Sequence, residues 1–181
     1  AFALDMYGDG KVTEHPQQAG EWSGFIGANP DLGRARFEQA LALLKAHPMA
    51  DRERIAAIGY CFGGRVVLSM AKAGLPLRGV VSFHGALPAD PVPPGTRVTA
   101  KILVCHGAAD AFIPAEVVAG FQQSLAAAGA DWQFISYGGA RHSFTDPGAD
   151  AHGMEGLQYD PAADRRSWRA MQDFYAEVFA D

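Results

Sequence analysis

The sequence is poor in cysteine: Cys61 and Cys105 are the only two in 181 residues. A disulfide scaffold packs several cysteines into a shorter chain, so that class is excluded. The two are too far apart to pair at a zinc site, and no histidines stand at helical ligand spacing, so no metal is expected. Both are expected as free thiols of an intracellular, cytoplasmic chain. Charge is also scarce, at 19%, and its balance is acidic, with a net charge of −5. That argues against nucleic acid or an anionic membrane surface as partner. No apolar run approaches the roughly 18 residues of a membrane span. No basic segment leads into an apolar one at the start, so no signal peptide is read there. Ala1 stands first in place of methionine, compatible with removal of something upstream. Disorder is excluded by a hydrophobic content of 49%. The length suits one domain, and the composition leaves the oligomeric state open.

What is present is an alternation of short apolar runs with helical patterns. Ala1–Leu4 reads as the end of a strand. Residues 8–33 read as a long connection with Trp22, Phe25 and Ile26 embedded, the kind of segment that tends to be functional. Asp31 is a candidate cap for a helix over about 32–46, with Phe37, Ala40, Leu41 and Leu44 on one face. Strands follow at Ile55–Ile58, Val80–Phe83, Ile102–Cys105 and Trp132–Tyr137. Helices are expected from Gly64 to Ala73, from Pro114 to Gly129, and over about 162–179, the last with Trp168, Met171, Tyr175 and Val178 on one stripe. Residues 86–99 hold four prolines and read as loop, as do residues 138–161. Short, continuously apolar strands between helices indicate an α/β fold, a mostly parallel sheet covered on both faces. About five strands are visible, counting the first stub. In such folds chemistry sits at the carboxyl ends of the strands.

Gly59-Tyr60-Cys61-Phe62-Gly63-Gly64 lies between a strand and a helix, the arrangement of a nucleophile elbow with cysteine in the usual serine position. The glycines have a reason there: side chains two positions before or after Cys61 would meet the neighbouring strand and helix. The helix amino terminus favours thiolate, and the Phe62 N–H points where an oxyanion would form. The same spacing also suits a plain tight turn with Cys61 as a small buried residue. A cysteine nucleophile needs a base, and the base needs an orienting acid. Asp110 follows the strand that ends at Cys105, and His142 follows the strand that ends near Tyr137. Each stands just past its own strand, in the order nucleophile, acid, histidine. Of the other histidines, His15, His47 and His152 read as solvated. His84 either lines a pocket or is a satisfied structural residue, and His106 is placed to orient the Asp110 loop. Candidate substrate contacts are Trp22, Phe25, Phe62, Phe83, His84, Phe112 and Phe144, with Arg141 as an anion contact or a solvated side chain.

Together, the elbow, His106-Gly107 through Asp110 and Pro114, and Arg141-His142-Ser143-Phe144 resemble the dienelactone hydrolase family of the α/β-hydrolase fold. The resemblance covers nearly the whole chain. It implies a three-layer domain over residues 1–181 and a Cys61–His142–Asp110 triad. It also implies hydrolysis of a small ester or lactone through a thioester, with no metal or organic cofactor. Sheet strands and an oxyanion loop precede the segment similar to Ala1–Tyr7 in the family, so the second oxyanion donor is expected upstream of Ala1. Family members that cleave dienelactone hold its carboxylate with arginines. At the corresponding places this chain reads Thr145-Asp146-Pro147, and His15 to Trp22 without an arginine. Two further readings stand beside hydrolysis: a non-catalytic or redox-sensing module with a reactive thiol, and acyl transfer to an acceptor other than water.

Overall fold

The computed structural model describes residues 1–180. They group into two compact units, residues 1–53 and residue 54 onward.

The first unit opens on irregular chain, not on the strand expected at Ala1–Leu4. Asp5 turns the chain there. Its carboxylate accepts N–H groups from Gly10, Gly8 and Tyr7. Chiefly the bonds from Gly10 and Gly8 hold it below the usual carboxylate range. Helix α1 spans Pro16–Ala28, inside the segment expected to be a connection. The helical pattern is weak because Gly20, Gly24 and Gly27 interrupt it and only Ile26 is buried. Pro16 starts α1, and the Asn29 side chain ends it by donating to the Phe25 carbonyl at 2.7 Å. Helix α2 spans Pro30–Ala46 and buries Gly33, Phe37, Ala40 and Leu41. It begins earlier than expected because Pro30 supplies the first helical position. Asp31 therefore sits in the first turn, facing the helix dipole, and does not cap.

The second unit carries strands β1 (Ala56–Tyr60), β2 (Gly79–Phe83), β3 (Lys101–Gly107) and β4 (Trp132–Tyr137). They form one parallel sheet in the order β1-β2-β3-β4, so the described sheet has four strands. Tyr60 pairs with Phe83, Phe83 with Cys105, and Gly107 with Tyr137, which brings the carboxyl ends to one rim. Helix α3 (Phe62–Lys72) follows β1, α4 (Ala115–Ala127) follows β3, and α5 (Pro161–Val178) ends the unit.

Side-chain alternation along the strands sets the layers. Val81, Phe83, Leu103 and Cys105 face α5 and bury against Met171, Phe174 and Val178. Ser82 points the other way, toward Gly64 of α3. The sheet is thus covered on both faces, as an α/β-hydrolase fold requires. Lys72 joins α3 to α4: its buried ammonium donates to the Ser124 hydroxyl at 2.9 Å and to the Pro88 and Asp90 carbonyls. The proline-rich loop is thereby fastened to two helices. No helix among the described residues is long and apolar enough to cross a membrane.

Candidate active site

The turn between β1 and α3 forces Cys61 into φ 50° and ψ −116°, a conformation that L residues rarely hold. Its neighbours leave no slack. A Cβ on Gly59 would fall 2.1 Å from the Gly63 backbone. One on Gly64 would fall 2.5 Å from Ser82 Oγ and 2.9 Å from Gly85 Cα. Gly63, two positions after Cys61, faces open space, which corrects the expectation of a clash there. The helix turns its next residue, Gly64, toward β2. Gly64→Ala should therefore cost roughly 1–3 kcal/mol through overpacking, whereas Gly63→Ala should leave the thermal unfolding midpoint near that of the parent. Equal shifts in the two variants would contradict this account of the elbow.

The loops after β3 and β4 bring Asp110 and His142 to the same rim. Gly107 makes the approach possible, since a Cβ there would lie 2.6 Å from the Ala140 carbonyl oxygen. Ala109 donates its N–H to that carbonyl at 2.9 Å, and Gln158 donates to the His142 carbonyl at 3.1 Å. Between these ties the imidazole is fixed. His142 Nδ1 stands 2.8 Å from Asp110 Oδ2, and His142 Nε2 stands 3.2 Å from Cys61 Sγ. The other Asp110 oxygen accepts the Phe112 N–H at 2.9 Å. The three side chains thus form one hydrogen-bonded line from a buried carboxylate to an exposed thiol.

Desolvation pushes the Cys61 thiol up, but the hydrogen bond from His142, its charge and the Phe62 N–H more than offset it, leaving the thiol below its ordinary value. Desolvation pushes His142 down. The Asp110 carboxylate and the Cys61 sulfur outweigh it and raise the imidazole to about 9. Cys105 is the opposite case. It is fully buried beneath the Tyr137 hydroxyl, and burial drives it up to about 12. The geometry can therefore hold a thiolate–imidazolium pair at Cys61 and leaves Cys105 inert.

An open cleft of about 520 Å³ lies over the thiol. Of the expected contacts, His84 lines it. Its backbone is at φ 39°, its Nε2 meets Thr145 Oγ1 at 2.7 Å, and its ring stands edge-on to His142 at 5.3 Å. Burial lowers His84 to about 4, so it stays neutral. Phe62 opens α3 beside the thiol, half-buried. Phe112 is about half exposed and stands edge-on to His142 at 5.3 Å. Phe83 and Phe144 are core residues instead: both are fully buried, Phe83 stacked under Tyr60 and Phe144 against His84 and Tyr137. Strand alternation turns Phe83 inward, and Phe144 packs into the same core cluster. Arg141 is exposed. Trp22 and Phe25 belong to the first unit, Trp22 packed on Tyr7 at 5.5 Å and Phe25 exposed. His106 is buried and packs on Phe134 at 5.4 Å, and its Nδ1 has no hydrogen-bond partner.

The cleft also contains residues that were not expected as substrate contacts. Ser143, Thr145, Asp146 and Pro147 follow His142 directly, and their adjacency to it was the available signal. Asp164 and Trp168 reach the cleft from α5, together with Tyr60 from β1. Trp168 shares a stripe with Met171 in the sequence pattern, yet it is 47% exposed while Met171 is 6% exposed. No group of three or more His, Cys, Asp or Glu among the described residues could hold a metal ion.

The chain is similar to several known proteins. An uncharacterised protein of Caenorhabditis elegans is 38% identical over 81% of this chain and 94% of its own length. A putative carboxymethylenebutenolidase of Methylorubrum extorquens is 27% identical over 78% of this chain, and the chain spans only 49% of that relative. A solved dienelactone hydrolase-like promiscuous phosphotriesterase from metagenomic libraries is 39% identical. It superposes with a TM-score of 0.90 over 97% of this chain and 73% of its own. The dienelactone hydrolase family model matches residues 1–179, and the chain belongs to that family of α/β hydrolases.

Proposed function

We propose that the chain hydrolyses a small ester or lactone with Cys61 as nucleophile and a thioester as intermediate. The observation that carries this reading is the line Asp110–His142–Cys61, ending on a strained thiol at the floor of an open cleft. The thiolate attacks the carbonyl carbon, and the carbonyl electron pair moves to oxygen, where the Phe62 N–H is a candidate donor. Collapse breaks the carbon–oxygen bond, and His142 Nε2 gives its proton to the departing alkoxide. Water then attacks the thioester while His142 takes its proton, and a second collapse releases the acid and the thiolate. Asp110 holds the ring in the tautomer that each step needs. The phosphotriesterase among the relatives suggests that an uncharged phosphotriester is a second electrophile for the same thiolate.

Acid quenching during turnover of an activated aryl ester tests the intermediate. The acyl mass should appear on the peptide containing Cys61; acylation elsewhere would overturn the assignment. The pH profile tests the ion pair. The reactive form needs Cys61 ionised and His142 protonated. A depressed thiol pKa moves the rising limb to lower pH than for a free cysteine. A raised imidazole pKa keeps the proton until about 9. Turnover should accordingly form a bell whose alkaline limb falls near that pH. A rate that keeps climbing with hydroxide would contradict the pair.

A further inference from the structure

Five residues that line the cleft with Cys61 have one-sided chemistry. Asp146 and Asp164 carry carboxylates, Trp168 and Tyr60 present aromatic rings, and Thr145 holds His84. Among the lining residues of the second unit there is no Lys or Arg. Among the described residues neither carboxylate is consumed by a strong ion pair. Asp146 accepts the Gly148 N–H at 2.8 Å and has His152 at 3.8 Å, which offsets its charge only when protonated. Asp164 accepts the Tyr159 hydroxyl at 3.0 Å, a neutral donor. Burial raises Tyr60 first and the Asp164 charge adds to it, while on His84, which burial lowers, Asp146 is the smallest of the opposing influences. Trp168 offers a half-exposed indole one turn after Asp164 on α5. Two carboxylates with an exposed indole make a surface that attracts an ammonium group through charge and the ring face. The same surface repels a carboxylate.

We propose that the cleft beside Cys61 selects esters carrying an ammonium group over neutral ones and rejects those carrying a carboxylate, with Asp146, Asp164 and Trp168 as the residues that read the charge. This rests on the hydrolase reading for its substrate, but the charge of the cleft can be measured without turnover.

Two measurements on the same protein separate the two. The first uses three methanethiosulfonates that differ in their tail: ethyltrimethylammonium, methyl and ethylsulfonate. Each forms a mixed disulfide with Cys61 and releases methanesulfinate. At low salt the ratio of cationic to anionic rates should fall roughly three- to tenfold in each of Asp146→Asn and Asp164→Asn, and further in the double variant. Added salt should shrink the ratio in the parent. Trp168→Leu should slow the cationic reagent and spare the neutral one. A ratio unchanged in the double variant would overturn the proposal. The second measurement compares turnover of matched aryl esters whose acyl chains end in trimethylammonium, methyl or carboxylate. The expected order of kcat/KM is cationic, neutral, anionic, and a reversed or level order would also overturn it. If none of the three is turned over while the disulfide ratio behaves as stated, the hydrolase reading fails and the charge assignment of the cleft stands.

Discussion

Cys61→Ala is expected to lower ester turnover by a factor on the order of 10⁴–10⁶, the loss seen when a nucleophile is removed from a preorganised site. The argument is geometric. Cys61 alone among the two thiols is exposed, holds a strained backbone and touches His142. Iodoacetamide should label it in step with the loss of turnover, while Cys105 stays unlabelled in the folded protein. Cys61→Ser should recover only a small part of the rate. A hydroxyl beside the same imidazole ionises far less readily, so the base must remove its proton during attack. Parent-like turnover in Cys61→Ala would remove the thioester mechanism altogether.

His142→Ala and Asp110→Asn should each produce a large loss, roughly 10²–10⁴ in turnover, and the double variant should lose far less than the product of the two. The two side chains act through one hydrogen bond of 2.8 Å, so removing either already disables the other. A second readout distinguishes this from simple misfolding. Asp110→Asn takes away the leading favourable influence on the His142 imidazolium, so the alkaline limb of the pH profile should move to lower pH. His142→Ala should move the Cys61 labelling profile to higher pH, because the imidazole is the main group that offsets desolvation of the thiol. Losses that multiply, with unmoved pH profiles, would mean that the three residues do not share a mechanism.

The framework of the second unit was legible because parallel strands between helices are continuously apolar, and such runs have few other uses. The three polar residues of the line were legible for a related reason: each stands shortly past the carboxyl end of a strand. Their mutual distances were not, since those depend on Gly107 letting the residue 140–141 backbone cross the end of β3. Helix α1 was hidden because helix signals are carried by apolar periodicity and its glycines break that signal. The pocket aromatics depart from expectation for a different reason. A large ring beside a motif can face either side of a strand or loop, and the sequence does not say which. Phe83 and Phe144 turn inward, and Trp168, on one stripe with Met171, turns out. Asp164 carried no pattern at all, because it reaches the site from a helix that begins well over 50 residues after the strands of the elbow and its neighbour.

That division between a tight floor and open walls has a consequence for how such a protein can change over time. Gly59, Gly64 and Gly85 lock the nucleophile into contacts that tolerate no added atom. Asp146 and Trp168, by contrast, lie on exposed surface, where a substitution disturbs little packing. Heritable variation can therefore accumulate in the walls while the floor stays constant, so that descendants of one ancestral chain can acquire different substrates without passing through an inactive form.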